Sequence, residues 1–385
     1  MATGKGGQDM IDTVDLLLNA DQFTILDLSV FDGRNIKGIE KRFDNEELFI
    51  KKKRDSIVKQ GRYFPSLNLK IVYAEENGKR KRVIDSLMIQ VSITKLLFST
   101  SIFEADYTCR EQIYKKLLEC FREVGIETTR EQLEKAILRR VAFSKIIRIP
   151  DHFGNARQVL KQLQGFDYKR SSKFRINYYG RDNDVFDIKF NNRTQSLVIY
   201  DKINEIDCNG YTLDEIKIKD HFQGGKIKNN VLKIELTFQK KQSMNAVLRR
   251  ILGVKKNDFC LDDVLNEKVS KQALLEIFDD VFSNVNVILL SAGEMRENLF
   301  EQEMINAKIS IKERAWLIYL VNNCTKFGVL ETSRQLKEEL KGGTFDRSMK
   351  ELKLIAEKLF EIRELRGNIV AYLRDKLEEF KIIKG

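Results

Sequence analysis

Two short apolar runs carry groups able to do chemistry. The first, Ser196-Leu197-Val198-Ile199-Tyr200-Asp201-Lys202, ends in a phenol with an ammonium two residues on. Side chains i and i+2 of a strand share a face, so Tyr200 and Lys202 are expected to point the same way. The second, Val231 to Phe238, holds one carboxylate, Glu235, on the same face as Lys233 and Thr237. A tyrosine that attacks a phosphodiester needs a reachable hydroxyl, help with its proton and positive charge at the phosphate. Tyr200 has the right type for the nucleophile. Lys202 could lower its pKa or touch the phosphate, and Glu235 could hold Mg2+ or Mn2+. The bland alternatives have the same pattern: a half-buried strand tyrosine beside a surface Lys-Asp pair, and a carboxylate on a strand's polar face. A third run, Leu87 to Ile93, puts Met88, Gln90 and Ser92 on one face, with Lys95 following. Gln90 offers an amide oxygen, a weaker metal ligand than a carboxylate, or is an ordinary strand amide.

The elements needed to position these groups are legible as alternating or β-branched runs. Strands are expected over Phe23–Phe31, Leu67–Tyr73, Val83–Ile93, Val141–Ile149, Phe174–Tyr179, Val185–Phe190, Ser196–Lys202 and Val231–Phe238. Between them, Ile113, Leu117, Leu118 and Phe121 share one helical face over Arg110–Val124. Thr129 is a candidate N-cap for a helix over Thr128–Lys135, and Gly154–Leu163 reads as another helix. Turn chemistry at Gly180-Arg181-Asp182-Asn183, Asn191-Asn192-Arg193 and Gly224-Gly225 separates the later strands. The expectation is an α+β fold, an antiparallel sheet flanked by helices. Residues 1–9 read as a flexible N-terminal tail, residues 10–253 as the chemical domain, and residues 254–385 as a C-terminal helical domain. Helices over Lys312–Val321, Ser333–Leu340 and Phe345–Ile362, with Gly342-Gly343 between two of them, give that last part a winged-helix-like pattern, which a plain bundle shares.

Composition narrows the partner. The chain of 385 residues carries 68 Lys and Arg against 57 Asp and Glu, a formal charge of +11. That excess favours a polyanion, and nucleic acid before membrane. No apolar run is long enough to span a bilayer and no secretory signal is apparent. Cys109, Cys120, Cys208, Cys260 and Cys324 are scattered and form no Cys-x-x-Cys pair, which fits a reducing cytoplasm. His152 and His221 are the only histidines, which argues against His-dependent catalysis of the Ser-His-Asp type. The chain lacks a phosphate-binding Gly-x-x-x-x-Gly-Lys-Ser/Thr loop. Basic groups recur near aromatic rings, as in Lys173-Phe174-Arg175 before Tyr178-Tyr179. Cations neutralise phosphates and rings stack on unpaired bases. Expected DNA contacts are Lys95, Arg140, Lys173, Arg175, Arg193, Lys240, Lys241, Arg249 and Arg250.

In order along residues 10–253, the chain resembles the filamentous-phage gene-II-type replication initiators, a phage and plasmid family of rolling-circle endonucleases. The resemblance lies in Met10-Ile11-Asp12-Thr13, in Ile89-Gln90-Val91-Ser92-Ile93-Thr94-Lys95-Leu96-Leu97, in Arg140-Val141-Ala142-Phe143-Ser144-Lys145, in Leu197 to Lys202 and in Val231 to Leu236. It implies a Rep/relaxase-like sheet and a nickase whose Tyr200 forms a 5′-phosphotyrosine at an origin, with Lys202 assisting and Glu235 and Gln90 at a divalent metal. It also implies single-stranded or supercoiled origin DNA as substrate, and a host helicase and polymerase as partners. Two positions depart from the family. Gln90 stands where many relatives have Glu, and Ala142 where many have Asp. A hard cation prefers carboxylates, so Asp187 or Asp201 would have to compensate. Otherwise the protein is a non-catalytic regulator that binds origin DNA on the same fold. A mobilisation relaxase is a further alternative with the same chemistry.

Overall fold

The computed structural model describes residues 11–26, 47–51, 63–76, 79–105, 107–150, 153–164, 174–181, 184–209, 230–282, 309–327, 329–340 and 369–379, with single positions at 305, 344 and 347. The strands are β1 (Ile11–Asn19), β2 (Thr24–Ile25), β3 (Glu47–Lys51), β4 (Ser66–Glu76), β5 (Lys79–Ser92), β6 (Ile126–Glu127), β7 (Ile137–Arg148), β8 (Arg175–Arg181), β9 (Asp184–Asn191), β10 (Gln195–Asp201) and β11 (Val231–Phe238). Nine of them form one sheet in the order β3-β4-β5-β1-β7-β11-β10-β9-β8. Every neighbouring pair is antiparallel. β2 and β6 make a separate two-stranded pair. The helices are α1 (Ile93–Phe98), α2 (Arg110–Glu123), α3 (Arg130–Glu134), α4 (Ala156–Gln164), α5 (Lys202–Asn209), α6 (Lys241–Leu252), α7 (Leu261–Val264), α8 (Glu267–Phe282), α9 (Ile311–Phe327), α10 (Val329–Glu339) and α11 (Ile369–Glu379). The protein is thus α+β, as expected. Among the described residues no helix is long and apolar enough to cross a membrane.

One face of the sheet carries the core. Leu197 and Ile199 of β10, and Leu232, Ile234 and Leu236 of β11, are buried there with Val14, Leu16 and Leu18 of β1. Burial of this apolar area is the main force holding the layers together. α4 packs against β9 and β10, α6 and α8 against β7 and β11, and α11 against β7. The opposite face is more polar. There α5 closes a small cluster of Ile146, Ile203 and Val231.

Local signals set several of these elements. Ile113, Leu117 and Phe121 are sealed under α2, and Thr129 caps α3 in a reciprocal box with Gln132. Asn192 closes the β9–β10 turn by accepting from Thr194 N at 2.8 Å and Gln195 N at 2.9 Å. Asp201 Oδ1 accepts from Ile203 N and Asn204 N, both at 3.0 Å, so the strand ends there and α5 begins with Lys202.

Two expectations change. Among the described residues of Phe23–Phe31, Thr24–Ile25 is a strand and Phe23 and Leu26 are not, and 27–31 lie outside the described residues. The division at Gly253–Lys256 does not separate two cores, because Val269, Leu274, Phe278, Leu373 and Leu377 bury in the same cluster as the sheet. Gly253, at φ +69°, is instead the left-handed C-cap of α6. Lys312–Val321 falls within α9 and Ser333–Leu340 spans the end of α10, but Gly342-Gly343 and most of Phe345–Ile362 lie outside the described residues, as do residues 1–9.

Candidate functional site

The polar face is ordered in cross-strand rows. Tyr179, Asp187, Tyr200, Lys233 and Ile146 stand opposite one another on β8, β9, β10, β11 and β7. The next row is Asn177, Lys189, Val198, Glu235 and Ser144. Directly paired and diagonal side chains on one face are close enough to interact. Tyr200 and Glu235 are such a diagonal pair, and the Tyr200 hydroxyl donates to Glu235 Oε2 at 3.4 Å. That is longer than a strong O–H···O bond. Thr237 holds the other carboxylate oxygen, donating to Oε1 at 3.2 Å.

Two lysine ammoniums flank the phenol. Lys233 Nζ lies 2.8 Å from Asp12 Oδ1. Lys202 Nζ donates to Ser101 Oγ at 2.8 Å and Glu205 Oε2 at 2.5 Å, and sits 5.8 Å from the centre of the Tyr200 ring. Lys202 and Lys233 are 1% and 2% exposed. Asp12 reaches Lys233 because of a bulge: Ile11 opposes Phe143 while Thr13 opposes Ala142, leaving Asp12 as the extra residue. Lys95, in the first turn of α1, adds its field at both Asp12 and Glu205.

The electrostatics reverse one expectation. Burial, then the charges of Glu235, Asp12 and Glu205, push the Tyr200 pKa well above its ordinary value. Lys202 does not lower it, because that ammonium is engaged by Glu205 and Ser101 and burial pulls its own pKa down. Burial and the neighbouring Asp12 raise Glu235 above the usual carboxylate range. Asp12 is held below that range: burial opposes ionisation, but Lys233, Lys202 and Lys95 together outweigh it. Burial raises Asp187 to about 6, against the pull of Lys189. The phenol is therefore neutral and its closest carboxylate is a good proton acceptor.

The expected metal ligands do not converge. Gln90 lies on β5, opposite Asp15, with β1 and β7 between it and Glu235. Three strand spacings put them roughly 14 Å apart across the sheet, and the offset from Arg140 to Ser144 on β7 adds about as much along it. Gln90 hydrogen-bonds Asp15, whose Oδ2 is 3.9 Å from Arg140 Nε. Asp201 does not compensate, since it caps α5. Asp187 faces the site, directly across from Tyr200. Among the described residues, no group of three or more His, Cys, Asp or Glu is arranged to hold a metal ion. Asp12 and Glu205 face ammoniums instead. The residues present do not fit a site of Glu235 and Gln90 for Mg2+ or Mn2+.

The expected DNA contacts divide by position. Arg175 is exposed at the start of β8, on the same face as Tyr179. Arg193 lies in the β9–β10 turn, exposed, and Ser243 Oγ bonds Thr194 O at 3.1 Å, tying the start of α6 to that turn. Lys240 and Lys241 therefore sit at the end of the sheet away from Tyr200, five residues or roughly 17 Å along β10. Lys241 pairs with Asp258, and Arg250 with Glu276 through an Nη1–Oε1 bond of 2.8 Å. Arg249 is exposed. Arg140 is set against Asp15, and Lys173 lies outside the described residues. Among the described groups, Lys95 is brought within electrostatic reach of the site's carboxylates Asp12 and Glu205.

Sequence reasoning missed Asp12, Ser101 and Glu205 as site residues. Alternation within β11 correctly put Lys233, Glu235 and Thr237 on one face; the register with β10 adds Tyr200 to it, and no local pattern shows a bulge on a distant strand. No protein-family model matches the chain, and neither the curated proteins nor the solved structures contain a match to it.

Proposed function

We propose that the protein is a DNA strand-transfer enzyme of the rolling-circle initiator type, with Tyr200 as nucleophile and Glu235 as the acceptor of its proton. The observation that carries this reading is the Tyr200–Glu235 contact at 3.4 Å, flanked by two buried lysines. The Tyr200 oxygen attacks the phosphorus, its proton passes to Glu235, and the bond to the 3′ oxygen breaks. The 3′ oxygen takes a proton from solvent, and the 5′ phosphate stays on the tyrosine. A neutral phenol suits this course, because general-base help at the moment of attack removes the need for a standing phenolate. Lys202 and Lys233 supply positive charge beside the phosphate. The excess of 68 basic over 57 acidic residues favours a polyanionic substrate. On this reading the sheet and its helices are a Rep/relaxase-like scaffold, the substrate is single-stranded or supercoiled origin DNA, and a host helicase and polymerase use the freed 3′ end in the cytoplasm.

A second reading, a regulator that binds origin DNA without cutting it, draws on the enclosure of the Tyr200 hydroxyl and its raised pKa. Covalent capture separates the two. The full chain is incubated with labelled single-stranded oligonucleotides tiled across its own replicon, with Mg2+, with Mn2+ and with EDTA. A denaturant-resistant adduct in the wild type that Tyr200→Phe abolishes supports the enzyme. Tight binding with no adduct under any condition supports the regulator, and an adduct that survives Tyr200→Phe removes Tyr200 from the chemistry.

A further inference from the structure

Tyr179 is an exposed aromatic in an unusual place. Half of its surface is open (50%), on β8, the last strand of the sheet. It stands opposite Asp187, which stands opposite Tyr200. Its ring therefore lies on the site's face, two strand spacings or about 10 Å from the nucleophile's strand. A register shift just after Tyr179, where Gly180 pairs with Val185, sets it at a kink in the edge. Its neighbour Tyr178 turns the other way and is partly buried against the core. On the same face as Tyr179 lie Arg175, two alternations back along β8, and Lys189, one row over on β9. Arg175 is exposed and Lys189 is partly exposed. An aromatic ring on an open sheet face with cations beside it matches the chemistry of an unpaired, charged strand: bases stack on the ring and phosphates meet the cations. A duplex keeps its bases stacked on one another and offers nothing to the ring.

We infer that Tyr179 is a stacking platform for one unpaired base and that Arg175 and Lys189 hold flanking phosphates, so the β8–β9–β10 face is the path by which a single strand reaches Tyr200. The inference rests on the nucleic-acid reading above and adds the strand's route and its single-stranded character. The path runs from the Arg175–Asn191–Ser196 row to the Tyr179–Asp187–Tyr200 row. Those rows are four residues or roughly 14 Å apart along β10.

The test is fluorescence anisotropy of the full chain with a labelled oligothymidylate and with a duplex of equal length. Tyr179→Ala is expected to weaken single-strand binding about tenfold, within the range for one lost base–ring stack, while Tyr179→Phe stays within about twofold of wild type. Duplex binding is expected to be unchanged by either. Arg175→Ala is expected to flatten the salt dependence by about one phosphate contact, whereas Tyr179→Ala leaves that slope alone. Tyr319→Ala, at an exposed ring on α9, serves as a control with no expected effect. Tyr179→Ala binding like wild type, or losing single strand and duplex equally, overturns the inference while leaving the strand-transfer reading standing. A wild-type chain that binds neither probe overturns both.

Discussion

Lys233 on β11 reaches across β7 to Asp12 on β1, Nζ to Oδ1 at 2.8 Å, with both side chains at or below 10% exposure. The pair joins three central strands on the polar face and fixes an ammonium directly opposite Tyr200. Breaking a buried ion pair by removing one partner leaves an uncompensated charge. Asp12→Ala is therefore expected to destabilise the fold by about 3–5 kcal/mol, read from urea denaturation midpoints at constant slope. The double variant Asp12→Ala/Lys233→Met should recover most of that loss. A single variant as stable as wild type would show that the pair contributes nothing.

Glu235→Gln tests the proton acceptor. The amide keeps the shape and still meets the Tyr200 hydroxyl, but it cannot take the proton. The rate of adduct formation is expected to fall about 10²- to 10⁴-fold, with single-strand affinity changed by less than about threefold. An undiminished rate would move the base elsewhere.

Asp187 makes binding depend on pH. Its carboxyl is raised from 3.8 to about 6 by burial, with Lys189 on its own strand opposing and Tyr179 and Tyr200 facing it from β8 and β10. The folded protein thus binds the proton more tightly than the unfolded chain. Stability contributed by this group is present below pH 4 and falls as pH rises towards about 6. On the proposed strand path, protonation removes one negative charge. Single-strand affinity is expected to rise a few-fold as pH falls through about 6. Asp187→Asn should bind at pH 7 as the wild type does at low pH, with a flat profile across that range. A wild-type profile equally flat would remove Asp187 from the path.

Away from the site, Asp262 at the start of α7 joins α2 to the helices that follow. It accepts from Arg110 Nε at 2.8 Å and Nη2 at 2.6 Å, and from the Tyr114 hydroxyl at 2.9 Å. Asp262→Ala leaves the buried Tyr114 without that acceptor and is expected to cost about 2 kcal/mol, with little change in single-strand binding. A matching loss of binding would tie this contact to the site.

Local chemistry made much of this structure legible. The spacing of Ile113, Leu117 and Phe121 defined α2, the Thr129 cap started α3, and alternation in β11 put Glu235 on one face with Lys233 and Thr237. β1 escaped the same reading. Its run Ile11–Asn19 begins with a bulge and ends in three consecutive leucines, so the period of two is obscured although the strand is central. Gly253 gave a true local signal, a helix end, but a helix end is not a domain end. Whether α8 folds back on β7 and β11 depends on contacts far apart in sequence. The partners of Lys202 and Lys233 are equally non-local: Ser101 is 101 residues before Lys202, and Asp12 lies on another strand.

The extra residue in β1 makes chain length itself a constraint on charge. Ile11 and Val14 both face the helices although three positions separate them, an odd interval that a regular strand cannot accommodate. Removing Asp12 would restore even phase and a smoother ribbon, and would take from Lys233 its ion-pair partner. Adding a residue would turn either Ile11 or the leucines outward. A one-codon insertion or deletion at this spot is thus a lesion in the site, even though it falls far from Tyr200 in the chain.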